Sequence, residues 1–112
     1  MAVVKDLFFV ARIRETARLA GVPLVFARTP EEAEAALAEP ARFVLLDLTA
    51  GFDYPRLFAA VEAASPRPPV LGFTTHVLAA TTKPLHERCG RVVTKETLTQ
   101  ELPSLLKEGT AA

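Results

Sequence analysis

The sequence predicts an α/β fold: a single five-stranded parallel sheet with helices on both faces. Short runs rich in Val, Leu and Phe alternate with helical patterns five times along 112 residues. The run Phe43–Asp47 is apolar almost throughout, which is typical of a strand that is covered on both sides. Strands that alternate with helices favour a parallel sheet buried between two helical layers.

The chain begins with a strand and an amphipathic helix. Ala2–Val4 is a short apolar strand candidate. Apolar residues then recur every three or four positions, which predicts a helix with one apolar face. These positions are Leu7, Val10, Ile13, Ala17 and Ala20. Gly21 is expected to end the helix, because glycine readily adopts the left-handed conformation that follows a helix C-terminus.

Pro23–Ala27 is the second predicted strand, and a strong helix start follows it. Thr29 is the expected N-cap, Pro30 takes the first helical position and Glu32 completes a capping box. We expect this helix to end near Glu39, before the third strand.

The middle of the chain continues the alternation. Gly51 marks a loop, and Tyr54–Ala64 has the spacing of a helix. Its inward-facing residues are expected to be Leu57, Phe58 and Val61. The proline-rich connection Ser65–Pro69 leads into the fourth strand, Val70–Phe73.

Prolines complicate the last two helices. Val77–Arg88 is a weaker helix, because Pro84 lacks a backbone donor and is expected to break or kink it. Arg91–Thr94 is the fifth strand. Pro103 fits the final helix only if it lies within a first turn. The inward-facing residues of that helix are Leu98, Leu102, Leu105 and Leu106.

Right-handed crossovers leave few arrangements for five parallel strands, and the flavodoxin-like order 2-1-3-4-5 is the commonest at this length. We expect one domain over residues 1–108 and a flexible tail over residues 109–112. In this fold, ligands bind beyond the carboxyl ends of the strands, near strands one and three. Four polar residues follow or end strands and are expected at that edge: Asp6, Asp47, Thr74 and Lys95.

Composition excludes several classes of function. Thirteen basic residues balance thirteen acidic ones, which argues against general nucleic-acid binding. No apolar stretch reaches membrane-spanning length, and no Gly-rich phosphate loop is present. The single cysteine, Cys89, fits a reducing cytoplasm. Nine prolines, one Gln and no Asn are consistent with a thermophilic source and equally with a GC-rich genome.

The order and spacing of the strand ends resemble the receiver domain of bacterial response regulators. The resemblance covers nearly all of the chain and rests on four segments: Val3–Asp6, Leu45–Leu48, Phe73–Thr75 and Val92–Lys95. It implies that Asp47 accepts a phosphoryl group from a histidine kinase. It also implies Mg²⁺ held by Asp6 and Asp47, with Thr74 and Lys95 on the phosphoryl oxygens. Such a transfer needs a cation and an ammonium to neutralise the charge of the transferring group.

Several positions depart from the family's pattern. Lys5 replaces one of the paired acids, which weakens the Mg²⁺ site because this ion prefers several hard oxygen ligands. The loop after Asp47, Thr49–Gly51, lacks the proline that is usual there in the family. The proline that usually follows the fifth-strand lysine is Glu96 here. Val92 stands where a switching aromatic is common. Each change affects the switching machinery and leaves the scaffold intact, so we expect a degenerate receiver, or pseudo-receiver.

Three functional hypotheses stay open. The first is a stand-alone pseudo-receiver, not an enzyme, that acts in signal transduction by contacting a protein partner or a second copy through the Val77–Lys107 region. The second is a receiver that a histidine kinase phosphorylates at Asp47. The third is a small ligand-binding protein or enzyme that uses Thr75 and His76 at the same edge.

Structural roles compete with these chemical ones. For Asp47 we favour a hydrogen-bonded strand end that is paired with Lys95. Asp6 fits the N-cap of the first helix, and Thr74 is able to satisfy backbone groups after its strand. Adjacent strand positions point to opposite faces, so Lys5 and Asp6 are expected on different sides of the sheet.

The two histidines and the cysteine have no assigned chemistry. Cys89 is expected to pack as a small apolar group. His86 lies three residues before it, but no third group is identifiable that would orient a Cys–His catalytic pair. His76 lacks a partner at metal-ligand spacing.

Overall fold

The structure, a computed structural model, describes residues 1–108 and contains one parallel sheet and five helices. The strands are β1 (Ala2–Val3), β2 (Phe26–Ala27), β3 (Val44–Asp47), β4 (Val70–Thr74) and β5 (Arg91–Thr94). The helices are α1 (Leu7–Ala20), α2 (Pro30–Ala36), α3 (Tyr54–Ala63), α4 (Ala79–His86) and α5 (Lys95–Glu108). The strand order β2-β1-β3-β4-β5 confirms the predicted fold class and topology. The predicted flexible tail, residues 109–112, lies outside the described residues.

Each face of the sheet carries its own apolar cluster. One cluster joins α1 and α5 to strand residues such as Leu45 and Phe73, and the other joins α2 and α3 to Leu46 and Val70. Consecutive strand side chains point to opposite faces, which is why Leu45 and Leu46 belong to different clusters. Burying one such side chain stabilises the fold by ~1.5–3 kcal/mol. The two clusters therefore fix the frame on which the polar edge is built.

The predicted helix boundaries at Gly21 and Thr29 are both present. Gly21 has φ 71°, and its N–H bonds to carbonyls of the last turn of α1. Thr29 Oγ1 accepts a hydrogen bond from Glu32 N at 3.1 Å. The Glu32 carboxylate accepts from Arg28 N at 3.3 Å, so it reaches one residue further back than a standard capping box. Leu7 was expected to face inward, but it is 60% exposed because it begins α1 at the rim of the sheet.

Several elements are shorter than predicted, and β2 and α2 show the physical reasons. β2 comprises Phe26–Ala27 only, and Pro23 has no N–H with which to extend a ladder. α2 ends at Ala36, after which Ala38 and Glu39 bond to carbonyls three residues back. This tighter turn precedes Pro40, and the residue before a proline disfavours the α conformation.

The two helices with internal prolines behave differently. α4 continues through Pro84 and ends at His86, so the expected break is not found there, and the helix begins at Ala79 rather than Val77. In α5 the backbone leaves the helical conformation at Glu101 (φ −111°, ψ 16°). Pro103 therefore lies in the first turn of the second half of α5, as its chemistry requires. Over the described residues, no helix is long and apolar enough to cross a membrane.

Candidate functional site

The carboxyl edge of the sheet gathers the residues that the sequence singled out. Asp47 and Thr74 are the last residues of β3 and β4, which are neighbours in the sheet. Asp6 follows β1 on the other side of β3, and Lys95 begins α5 directly after β5. The strands are all parallel, so their carboxyl ends meet at one edge. The remaining question is which of these side chains contact one another.

Asp47 is held by the turn that follows it. Its side chain is buried, and Oδ1 accepts hydrogen bonds from Thr49 N at 2.8 Å and from Thr49 Oγ1 at 2.7 Å. Its main-chain oxygen accepts from the Tyr54 hydroxyl at 2.7 Å. That hydroxyl accepts in turn from Ala50 N at 3.1 Å, and burial raises the pKa of Tyr54. The hydrogen bonds of Thr49 and Tyr54 to Asp47 were not predicted from the sequence, although an Asp side chain often bonds to the backbone two residues further on in a turn.

Asp6 caps the first helix and takes the ion pair expected for Asp47. Asp6 Oδ1 accepts from Phe8 N at 3.0 Å and from Phe9 N at 3.3 Å, which confirms the N-cap interpretation. Asp6 Oδ2 lies 3.9 Å from Lys95 Nζ. The predicted pairing of Lys95 with Asp47 is wrong: among the described residues, Lys95 forms an ion pair only with Asp6.

Contacts with α1 explain the position of Lys95. Its ammonium lies 4.7 Å from the ring centroid of Phe9, a member of the apolar cluster between α1 and the sheet. The cap holds the Asp6 carboxylate at the start of α1, where its second oxygen faces the start of α5. The Phe9 ring and the Asp6 carboxylate therefore both attract the Lys95 ammonium toward α1.

Lys5 lies on the opposite face, as strand alternation predicts. Its Nζ donates to Ala50 O at 3.3 Å and lies 4.8 Å from the ring centroid of Phe52. Both residues belong to the loop after β3, and Phe52 packs in the cluster on the α2 and α3 side of the sheet. An ammonium is thus bound to the same loop that holds Asp47.

The Thr74 hydroxyl is directed under α4. Thr74 is 3% exposed, and its Oγ1 lies 2.9 Å from Thr82 Oγ1. Thr82 Oγ1 lies 2.9 Å from His86 Nε2, one helical turn further on. These hydrogen bonds were not predicted from the sequence. The signal available for them was the i, i+4 spacing of Thr82 and His86 on a helix.

A groove of about 450 Å³ lies beside Thr75 and His76. Its lining residues are Thr75, His76, Thr94, Lys95, Glu96, Thr99 and Gln100. His76 Nε2 lies 3.9 Å from Glu96 Oε2, and these side chains are 77% and 70% exposed. A ligand-binding protein or enzyme that uses Thr75 and His76 would need a deep pocket at this edge. The side chains of His76 and Glu96 are instead largely exposed to solvent.

The Cys89 thiol is not paired with His86. Cys89 Sγ donates to Leu85 O at 3.6 Å, and the His86 ring is bonded to Thr82. Burial raises the pKa of the Cys89 thiol to about 11. The thiol is therefore protonated at neutral pH and packs with its apolar neighbours, as expected for a small apolar group.

The edge does not suit the Mg²⁺ ion that the resemblance implies. Mg²⁺ requires several hard oxygen ligands in octahedral geometry. Over residues 1–108, no three His, Cys, Asp or Glu side chains are grouped in a way that could hold a metal ion. One Asp6 oxygen caps α1, and one Asp47 oxygen is bonded twice to Thr49. Lys95 pairs with Asp6, and Lys5 adds a second ammonium at the loop after β3.

Comparison with known proteins yields a likeness of fold. No family model matches the chain, and no curated protein matches it. The crystal structure of NtrX from Brucella abortus is similar, with a TM-score of 0.78 and 19% sequence identity. The match covers 98% of this chain and 25% of the NtrX chain, so this chain spans about a quarter of that protein's length.

Proposed function

We propose that this chain is a receiver-like signalling module that works by contacting a protein partner and does not depend on phosphorylation of Asp47. The fold shared with NtrX, a response regulator, supports a signalling role. The observation that carries the proposal is the charge balance of the carboxyl edge. A phosphoryl-accepting carboxylate works beside a divalent cation, and here an ammonium, Lys5, is bound to the loop that holds Asp47.

The hydrogen bonds of Asp47 support the same proposal. Oδ1 is bonded to both donors of Thr49, so attack from this oxygen requires that the turn be opened. Thr74, whose hydroxyl is expected to bind a phosphoryl oxygen in an active receiver, is instead bonded to Thr82. The edge is thus stabilised without a bound ion or phosphoryl group.

The partner is expected to be a protein, either a histidine kinase, a downstream target or a second copy of the chain. Contact is expected through the Val77–Lys107 region, where Val77 is 89% exposed. Covering this apolar side chain with a partner removes it from water, which is favourable. The lone Cys89 is consistent with a cytoplasmic module.

Intact-mass measurement after incubation with acetyl phosphate and Mg²⁺ tests the proposal. The wild-type chain is expected to gain no phosphate-sized mass. A gain that disappears in Asp47→Asn contradicts the proposal and establishes the phosphorylatable receiver. Lys5→Asp serves as the matched variant, because it restores a second acid at the end of β1. We expect this variant, and not the double variant Lys5→Asp/Asp47→Asn, to gain the mass in the same reaction.

The phosphorylatable receiver is the second candidate because one Asp47 oxygen is uncommitted. Oδ2 accepts no hydrogen bond from any described residue, and it retains contact with solvent. An in-line attack from Oδ2 would leave the Thr49 bonds in place. Repeating the mass measurement with a purified histidine kinase in place of acetyl phosphate covers a reaction that needs a protein donor.

A further inference from the structure

A row of hydrogen bonds runs from the carboxyl end of β4 to the last turn of α4. Thr74 Oγ1, Thr82 Oγ1 and His86 Nε2 are each 2.9 Å from the next. Thr74 and Thr82 are buried, whereas His86 is partly exposed. The row therefore joins an imidazole that solvent is able to protonate to a buried hydroxyl at the same edge as Asp47.

The number of hydrogens limits how this row is arranged. Thr82 has one hydroxyl hydrogen and two close neighbours, Thr74 Oγ1 and His86 Nε2. In the neutral tautomer that carries its hydrogen on Nδ1, Nε2 only accepts, so Thr82 donates to it and Thr82 Oγ1 accepts from Thr74. In this arrangement the Thr74 hydrogen points under α4.

Compared with that tautomer, protonation of His86 forces the opposite arrangement. Both ring nitrogens of an imidazolium are donors, so Nε2–H then donates to Thr82. Thr82 must send its own hydrogen elsewhere, and Thr74 Oγ1 at 2.9 Å is closer than Ala79 O at 3.3 Å. We propose that protonation of His86 reverses this row, so that the Thr74 hydroxyl accepts from Thr82 and its own hydrogen no longer points under α4. The proton comes from solvent, and no bond between heavy atoms changes.

The charged groups around His86 leave its ring free for this role. Within the described part of the chain, no carboxylate oxygen lies within 4.0 Å of a His86 ring nitrogen. On its own helix and the following residue, Lys83 and Glu87 are exposed. Arg88 bonds to Glu62 of α3 at 3.0 Å, β5 contributes Arg91, and the described β4 residues include no ionisable group.

Thr74 ends the strand next to that of Asp47, and its hydroxyl donates to Thr82 under α4 in one arrangement and accepts from Thr82 in the other. The inference is independent of phosphorylation, because it depends only on residues of β4 and α4.

Nuclear magnetic resonance titration between pH 5 and pH 8 tests the inference on the whole chain, a range that brackets the unperturbed histidine at about 6.5. The Thr74 methyl signal is expected to move with the same midpoint as the His86 ring. In His86→Gln the Thr74 signal should stay still over this range. His76→Gln is the matched control, because His76 is the other histidine of the chain and lies two residues from Thr74.

Two variants of Thr82 separate the hydrogen-bonded row from simple proximity. In Thr82→Val the His86 ring should still titrate while Thr74 no longer responds. Thr82→Ser keeps the hydroxyl and should retain the response. A Thr74 signal that does not move in the wild type, or that moves in His86→Gln and not in His76→Gln, overturns the inference. A response that persists unchanged in Thr82→Val also overturns the inference. If Thr82→Val does not fold, the comparison of His86→Gln with the wild type decides, because His86 is only partly buried.

Discussion

β3 and β4 are neighbours that both end in a buried polar residue, yet the two ends are stabilised in different ways. Asp47 at the end of β3 is held by Thr49, two residues away. Thr74 at the end of β4 is held by Thr82 of α4 and, through it, by His86. The side-chain bonds of Asp47 need only the turn that follows the strand, whereas those of Thr74 exist only while α4 is packed on the sheet. The side chain at a strand end therefore depends on a distant helix only when its hydrogen-bond partner lies in that helix.

Strand alternation is the physical cause of this difference. In the ladder, Asp47 is opposite Phe73, so Thr74 lies one position further and points to the other face. Asp47 follows Leu45 in the set that faces α1 and α5, and Thr74 faces α4. Two residues that the topology brings to one edge are therefore directed to different layers of the molecule.

Removing the shared support of the two ends should have the largest effect. Phe73 is 1% exposed, packs edge-on against Phe9 at 5.4 Å, and its carbonyl accepts from Leu48 N. Phe73→Ala should lower the free energy of unfolding by ~3–5 kcal/mol, because it opens a cavity beneath both ends. Urea denaturation followed by circular dichroism measures the loss.

Phe8→Ala is the matched control, since Phe8 is 92% exposed. Its free energy of unfolding should change by no more than ~0.5 kcal/mol. Similar losses in the two variants would contradict the assignment of Phe73 as the support.

A smaller change should test the insulation of β3. Thr49→Val removes the hydroxyl donor to Asp47 and retains the backbone N–H bond. Hydrogen bonds to charged groups contribute ~1.5–3 kcal/mol, so the free energy of unfolding should fall by up to that amount. Amide hydrogen exchange should accelerate in the loop after β3 and stay unchanged in α4.

Thr16→Val controls for the loss of a threonine hydroxyl. Thr16 Oγ1 bonds to Arg12 O on the exposed face of α1, so stability should hardly change. Faster exchange in α4 of the Thr49→Val variant would show that the two strand ends are not independent.

The smallest effect concerns reactivity rather than stability. Cys89 lies so close to β4 that a Cβ added at Gly72 would be 3.0 Å from its Sγ. Burial raises the pKa of Cys89 to about 11, compared with about 8.5 for an ordinary thiol. At pH 8 the native thiol should react with iodoacetamide about a hundredfold more slowly than in the urea-unfolded chain, because each pKa unit changes the thiolate fraction up to tenfold.

The pH dependence of that reaction has a defined sign. The native rate should keep rising tenfold per pH unit between about pH 8 and pH 10, whereas the unfolded rate levels off above about pH 9. The Cys89 thiol loses its proton more readily in the unfolded chain than in the folded one. The free energy of unfolding should therefore fall as the pH rises above about 8.5. Equal native and unfolded rates at pH 8 would mean that α4 does not cover the thiol.

Much of the fold was predictable because its signals are local. The alternation of apolar runs indicated the five strands, Gly21 and Thr29 marked helix boundaries, and Pro103 required the bend that is found at Glu101. At Pro84 the predicted break is not found, because a proline removes only one hydrogen bond of the helix that contains it. Leu7 was misjudged because periodicity does not show where the sheet ends.

The sequence alone determined the α/β topology, the gathering of Asp6, Asp47, Thr74 and Lys95 at one edge, and the opposite directions of Lys5 and Asp6. Only the tertiary structure decided which side chains meet there. Periodicity and capping are properties of a few consecutive residues, so they are visible in the chain itself. A hydrogen-bond partner is chosen by distances of a few tenths of an ångström between segments far apart in sequence. That is why Lys95 was assigned to the wrong carboxylate and the row from Thr74 to His86 was not foreseen.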